Sequence, residues 1–233
     1  MIDIVLDHAD FVVVHKPAGM AVHAHEGATL LEAVRRHFNN NDIHPVHRLD
    51  LGTSGLVILA KTAAANKAFC QMFAEGQVQK MYLALSDGPA KKKQGWVKGD
   101  MAKARGGSYK LLRSMLNPAV TYGMSFGEAG QPRLWWLRPK TGKTHQLRVA
   151  LKALGASIMG DTRYGGSQAK RLYLHAWGLR FNYAGERYDI HAWPNTGEYF
   201  EDLITNKRIE PNQNPWNLAW PKSFDVTAGV QPQ

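Results

Sequence analysis

Short apolar runs of four to eight residues, separated by turn-forming residues, recur along the sequence. Such runs are typical of β-strands, because a buried helix needs about ten or more residues. The predicted strands are 2–6, 11–15, 56–60, 81–85, 119–126, 134–137, 172–175 and 188–191. A chain with this many short strands has to fold around a sheet.

Three other segments have the apolar spacing of helices and a threonine able to cap them. The predicted helices are 30–38 after Thr29, a segment from Thr62 to Glu75, and 145–154 after Thr144. In the first helix Glu32 completes a capping box, and in the third Arg148 falls on the polar face. Because strands and helices do not alternate strictly, the pattern predicts an α+β fold with a mostly antiparallel or mixed central sheet and flanking helices.

Composition limits the organisation of the chain. Its 233 residues, 44% of them hydrophobic, are enough for one large domain. We expect a domain over 1–210, which could be split into two lobes by a cleft, and a peripheral tail over 211–233. No apolar run approaches the ~20 residues of a membrane-spanning helix, and the single cysteine, Cys70, suits a reducing compartment. A cytoplasmic protein, with a monomer as the favoured state, is the expectation.

The excess of positive charge is confined to one part of the chain. The net charge is +10, yet residues 91–180 alone carry 18 Lys and Arg against 3 Asp and Glu. A concentrated basic region favours RNA as a partner, since neutralising its phosphates releases condensed counterions. For the densest block, 91–113, a plain solvated surface is the alternative.

The densest polar cluster is His47-Arg48-Leu49-Asp50, directly before the predicted strand 56–60. A loop held by a rigid strand is a common place for catalytic groups. An ordinary turn, in which Asp50 caps the backbone of Gly52 and Thr53, is the other interpretation.

Three further patterns fail on inspection. Gly52-Thr53-Ser54-Gly55-Leu56 has Leu where a hydrolase nucleophile elbow needs Gly. Gly142-Lys143-Thr144 lacks the upstream glycine of a phosphate-binding loop, because position 137 is Leu. His23 and His25 have no acidic or cysteine partner at ligand spacing, and His44 and His47 flank Pro45 and cannot share a helix face. No metal site is therefore predicted.

Four motifs, taken in order, resemble the signature segments of the RluA-type pseudouridine synthases. They are Lys16-Pro17-Ala18-Gly19, His47-Arg48-Leu49-Asp50 with Thr53-Ser54-Gly55, Lys80-Met81-Tyr82-Leu83-Ala84, and Thr141-Gly142-Lys143-Thr144-His145-Gln146-Leu147-Arg148. Gly160-Asp161-Thr162-Arg163-Tyr164-Gly165 and Leu174-His175-Ala176 look like later landmarks of that family. The resemblance covers about residues 10–180. It implies isomerisation of uridine to pseudouridine in ribosomal or transfer RNA, with no metal or organic cofactor.

The resemblance also implies site residues. Asp50 would be the essential carboxylate, Tyr82 the ring that packs on the target base, and Arg148 the cationic partner of Asp50. Arg48 would fill the gap left by the flipped uridine. A guanidinium fork keeps a carboxylate ionised and oriented, and extruding a stacked base costs a few kcal/mol that pocket contacts must offset.

The predicted RNA contacts combine this resemblance with the basic block. They are Arg48, His47, Lys91, Lys92, Lys93, Lys103, Arg105 and Lys143. Two other functions stay open at this stage. An N-glycosidic bond hydrolase also needs a carboxylate and a flipped base but releases free uracil, and a non-catalytic RNA-binding module would release nothing.

Overall fold

The predicted apolar runs form strands of one large sheet in the structure, a computed structural model that describes residues 2–24, 27–127, 130–206 and 214–224. The strands are β1 (Asp3–Asp7), β2 (Phe11–Lys16), β3 (His44–Pro45), β4 (Ser54–Ala60), β5 (Gln79–Ser86), β6 (Gln94–Gly99), β7 (Met101–Lys103), β8 (Tyr109–Leu111), β9 (Ala119–Phe126), β10 (Arg133–Pro139), β11 (Leu174–Tyr183) and β12 (Glu186–His191). The helices are α1 (Leu30–Phe38), α2 (Ala63–Ala74), α3 (Gln146–Ala153) and α4 (Glu198–Thr205).

The large sheet has ten strands. Its main path is β1-β2-β4-β11-β5-β10-β9-β6, with β12 paired to β11 and β3 to β4. Within the described residues β4 and β11 pair in parallel, His175 opposite Ser54, and the other recorded pairs are antiparallel. The predicted α+β class with a mostly antiparallel sheet is confirmed.

Strands β2 and β4 lie at the centre of the core and are buried at every position. Alternate residues along them face opposite sides of the sheet. One side packs against Phe69 and Met72 of α2, and the other packs against Leu30 and Val34 of α1. Because helices pack on both sides of β4, the end of this strand next to the Asp50 loop is held in place.

The predicted caps are correct for α1 and α2 and wrong for α3. Thr29 and Glu32 form the expected capping box, and the Thr62 hydroxyl accepts from the amide of Ala65. Thr144 does not cap α3. His145 occupies the cap position in the left-handed region, with φ of 57°, and its side chain caps nothing.

The Gln146 side chain organises the start of α3 instead. Its oxygen accepts from the Thr141 hydroxyl at 2.7 Å and from the Lys143 amide at 2.9 Å. Its amide group donates to the Val120 carbonyl and the Thr121 hydroxyl of β9. This buried network ties the start of the helix to the sheet.

The predicted tail is only partly described, and the described part is not peripheral. Trp216 and Trp220 are buried in the same core cluster as Trp135 and Trp177. The boundary near residue 210 and the segments 211–213 and 225–233 lie outside the described residues. No helix in the described part is long and apolar enough to span a membrane.

Candidate active site

Asp50 lies on the loop before β4, at the wall of a pocket. Among the side chains that line it are Arg48, Asp50, Lys80, Tyr82, His145 and Arg148. Leu49 is buried beneath the loop, and the Thr53 amide donates to the Asp50 carbonyl at 3.0 Å. The Asp50 carboxylate keeps 22% of its side-chain surface exposed, so it faces the pocket rather than a sealed interior.

Gly55 allows β4 to approach β11 closely just after this loop. Its φ is +114°, and a Cβ there would lie 2.3 Å from the Ala176 carbonyl oxygen. Beside it, the Ser54 hydroxyl is 2.8 Å from Nδ1 of His175, and His175 Nε2 is 2.9 Å from the Ala192 carbonyl. Since a carbonyl only accepts, Nε2 carries the proton and Ser54 donates to Nδ1. Burial lowers the pKa of His175 to about 3, in keeping with a neutral ring.

Lys16 anchors the Asp50 loop by donating hydrogen bonds to backbone carbonyls. Its ammonium, completely buried, donates to the carbonyls of Pro17 at 2.9 Å, Met20 at 2.7 Å and Leu51 at 3.3 Å. Burial, and then the charge of Arg171, lower the pKa of Lys16 to about 8, while the charge of Asp50 opposes that shift. Lys16 therefore both anchors the loop and places a positive charge near the carboxylate.

Arg148 binds a different acid more tightly than the one predicted. Its Nε and Nη2 each donate at 2.7 Å to one oxygen of Asp161, whose side chain is 1% exposed. Its Nη1 lies 3.5 Å from Asp50, an ion pair but longer than a good hydrogen bond. Burial alone lowers the pKa of Arg148, but Asp161 and then Asp50 raise it above its ordinary value.

The predicted pairing of Arg148 with Asp50 is present, but Asp161 is a second and closer partner that the sequence did not indicate. The guanidinium is fixed by its bidentate bond to Asp161 and reaches Asp50 with the remaining nitrogen. The reason is solvation: a nearly sealed carboxylate needs charge-assisted partners, whereas Asp50 is still partly hydrated.

Tyr82 lies on β5 opposite Leu137 of β10 and Ala176 of β11. Burial, and then the charge of Asp50, raise the pKa of its hydroxyl, so it stays protonated. Lys80, two residues earlier on the same face, donates to the Thr141 carbonyl at 3.2 Å. Burial lowers the pKa of Lys80 to about 8. Tyr82 therefore presents a neutral ring in the same pocket as Asp50.

Two predicted RNA contacts on the Asp50 loop behave differently. Arg48 is exposed and lines the pocket. His47 uses Nε2 to accept from the Ile58 amide at 2.9 Å and stacks on Phe73. Burial, and then the charge of Lys80, lower the pKa of His47 to about 3. Its described contacts support the loop, and an RNA contact for it stays a prediction.

The basic block 91–113 divides into two locations. Lys103 and Arg105 belong to the β7–β8 hairpin, which contacts the 162–164 turn near the pocket. Lys91–Lys93 lie beside Leu154 and Gly155 at the far end of α3, about 12 Å along the helix from its first turn. Lys143 lines the pocket and donates to Asn117 at 2.8 Å.

Sequence reasoning gave no role to four residues that the structure brings to the site. They are Lys16, His145, Asp161 and Tyr164. Each stood inside a quoted motif, so the motifs located them. Their contacts depend on loops far apart in the chain, and spacing alone does not reveal such contacts.

Comparison with known proteins identifies the family to which the chain is similar. The family model for RNA pseudouridylate synthase matches residues 10–153. An uncharacterized RNA pseudouridine synthase of Haemophilus influenzae is 44% identical over 202 residues, covering 85% of this chain and 90% of the relative. A ribosomal large subunit pseudouridine synthase C of Vibrio vulnificus is 30% identical over 217 residues, covering 88% and 69%.

A solved structure gives the same result at the level of the fold. Human RNA pseudouridylate synthase domain containing 1 superposes with a TM-score of 0.70 at 29% identity, covering 82% of this chain and 83% of that one. The span of the family model, residues 10–153, contains Asp50, Tyr82 and Arg148. The chain therefore belongs to the RluA-type RNA pseudouridine synthases, a family of isomerases.

Proposed function

We propose that this protein converts uridine in structured RNA to pseudouridine, with Asp50 as its reactive carboxylate. The single observation that supports this most is the grouping of Asp50, Tyr82 and Arg148 in one pocket, with 3.5 Å between Arg148 Nη1 and the Asp50 carboxylate. Three elements distant in sequence converge on that point.

The chemistry required is an isomerisation. The C1′–N1 bond of the nucleoside breaks, the uracil turns, and a C1′–C5 bond forms; C5 loses a proton and N1 gains one. No oxidant or reductant is consumed, so a carboxylate acting as nucleophile or base can serve the whole sequence. In this proposal Asp50 plays that part without a metal or organic cofactor. Arg148 keeps it ionised and oriented.

Base extrusion explains the other pocket residues. A uridine stacked in RNA has to leave its stack before Asp50 can reach it, and the pocket has to offset that cost. The neutral ring of Tyr82 can pack on the uracil. Arg48, exposed at the same pocket, can occupy the vacated position in the RNA.

Ribosomal RNA is the substrate that we favour over transfer RNA. The support is the printed name of the Vibrio vulnificus relative, a ribosomal large subunit pseudouridine synthase. RNA of either kind would meet the same β7–β8 hairpin and the same pocket.

Product analysis tests the proposal. Ribosomal RNA from a strain lacking the gene is incubated with the protein, digested to nucleosides and separated by mass spectrometry and chromatography. We expect new pseudouridine and no free uracil. Free uracil would support the hydrolase, and neither product would support a binding module.

Asp50→Asn is the matched variant. It should give no detectable pseudouridine while RNA affinity stays within a few fold, because the amide keeps the shape and loses the reactive charge. Asp87→Asn, an exposed carboxylate away from the pocket, should be as active as the wild type. Pseudouridine formation by Asp50→Asn at the wild-type rate would exclude Asp50 as the reactive group.

A further inference from the structure

A basic hairpin, residues 100–117 with strands β7 and β8, carries four exposed cations and a single acid. The cations are Lys103, Arg105, Lys110 and Arg113. The acid, Asp100, is used within the hairpin, where its two oxygens accept from the amides of Leu116 and Asn117. The outer surface of the hairpin therefore offers its positive charge to phosphates.

The hairpin is attached to the active site at several points. The Tyr109 amide donates to the Tyr164 hydroxyl at 2.8 Å, and the Tyr109 ring meets His145 edge-on at 5.4 Å. Arg163 donates to the Gly107 carbonyl at 3.3 Å. A displacement of the hairpin would therefore act directly on His145 and on the turn that contains Tyr164.

Tyr164 also contacts the catalytic cluster. The Arg148 guanidinium lies over its ring at 4.8 Å from the centre, a cation–π contact. Its hydroxyl is 2.8 Å from Nδ1 of His145. Because the Tyr109 amide already donates to that oxygen, the tyrosine proton is available for His145. One buried side chain therefore touches the hairpin, the pocket wall and Arg148.

The distance between Arg148 and Asp50 is one that a small movement of Arg148 could shorten. Two of its nitrogens are fixed on Asp161 at 2.7 Å, and Nη1 stops 3.5 Å from Asp50. A shift of about half an ångström would bring Nη1 within hydrogen-bonding distance of the carboxylate. Because the guanidinium lies 4.8 Å from the centre of the Tyr164 ring, a change in the position of that ring would act on Arg148 directly.

We propose that Tyr164 is a positioning residue that couples RNA bound on the basic hairpin to the approach of Arg148 to Asp50. This inference rests on the proposed function. It assigns the hairpin a part in turnover in addition to affinity.

The kinetic test uses Tyr164→Phe, which keeps the ring over Arg148 and removes only the hydroxyl. With saturating ribosomal RNA from the deletion strain, we expect the single-turnover rate to fall about 3- to 10-fold, the value of one hydrogen bond. RNA affinity should stay within two-fold. Tyr183→Phe is the control, because it also removes a bonded hydroxyl, which donates to Asp10 at 3.1 Å. Tyr183 is the last residue of β11 and does not line the pocket.

Combination with a hairpin variant separates coupling from simple support. In the wild-type background, Lys103→Ala with Arg105→Ala should lower both affinity and rate. In the Tyr164→Phe background the same pair should lower affinity alone. Full additivity of the two rate losses, or a Tyr164→Phe rate within two-fold of wild type, would overturn the inference.

Hydrogen exchange of the Tyr109 amide provides a test that needs no turnover. RNA should slow this exchange in the wild type, and Tyr164→Phe should abolish that slowing. An RNA effect of equal size in both proteins would overturn the coupling. No pseudouridine from the wild type would overturn the proposed function itself, whereas an active wild type with an unaffected Tyr164→Phe overturns only this inference.

Discussion

Replacing Arg148 by alanine should destabilise the fold as well as stop turnover. Asp161 is 1% exposed, and both of its oxygens accept 2.7 Å bonds from this one guanidinium. In Arg148→Ala the Asp161 carboxylate stays buried and loses both of these hydrogen bonds. Asp50 loses its nearby cation too, but it is 22% exposed and can be hydrated.

The size of the effect follows from that difference. Removing one partner of a buried ion pair costs about 3 to 5 kcal/mol. For a protein of this length each kcal/mol lowers the melting temperature by about 2 to 4 °C, so a decrease of about 6 to 20 °C is expected. Turnover should fall nearly as far as in Asp50→Asn, since Asp50 then lacks its orienting cation.

Urea and thermal unfolding measure the stability, with Lys170→Ala as the control. Lys170 pairs with Glu198 at 3.2 Å, but the two side chains are 83% and 52% exposed, so its loss should cost less than about 1 kcal/mol. A double variant, Arg148→Met with Asp161→Leu, should regain stability without regaining turnover, because it removes both buried charges. If Arg148→Ala unfolds no more easily than Lys170→Ala, the account of Asp161 as a stranded charge is wrong.

Three further predictions concern other parts of the molecule. Gly55→Ala should prevent stable folding, since its Cβ would meet backbone atoms of β11 at 2.3 Å, while Gly142→Ala should have melting behaviour close to wild type; equal melting curves would refute the close approach. The pKa of His175 is about 3 in the fold against 6.5 for the free side chain, so its stabilisation is complete above pH 6.5 and lost as the pH falls towards 3. His175→Gln should flatten the acid limb of the unfolding free energy by up to about 1.4 kcal/mol per pH unit, and an unchanged limb in urea titrations would contradict this. Alanine at the four cations of the basic hairpin should reduce the salt dependence of RNA binding by up to about 0.7 in log-log slope per lost contact, and more than alanine at 91–93; the reverse order in filter binding would disprove the assignment.

The strands and two of the helices could be predicted because their signals are local. A Thr with Glu three residues later specifies a cap whatever surrounds it, and α1 begins where that pair predicts. The predicted Thr144 cap of α3 was wrong because the contacts that set this helix start come from residues distant in the sequence. Gln146 donates to Val120 and Thr121 of β9. The basic strands β6, β7 and β8 were missed because their apolar content is too low for the pattern.

The candidate site shows the same division. The sequence motifs located Asp50, Tyr82 and Arg148, and the structure brings these three into one pocket. The motifs did not indicate that Asp161 would bind the guanidinium first, because that depends on how completely each carboxylate is buried.

Burial thus assigns different roles to two carboxylates that share one arginine. Asp161, nearly sealed and doubly bonded, has no free oxygen to offer a substrate and serves to hold the guanidinium. Asp50, partly exposed and 3.5 Å from the same group, faces the pocket, as its proposed role requires. Replacing each carboxylate in turn by its neutral amide separates the roles. Asp161→Asn should lower stability and turnover together. Asp50→Asn should lower turnover while the melting temperature stays within a few degrees of wild type. Equal stability losses in the two variants, measured by thermal unfolding, would mean that the two carboxylates are equivalent and that burial does not distinguish them.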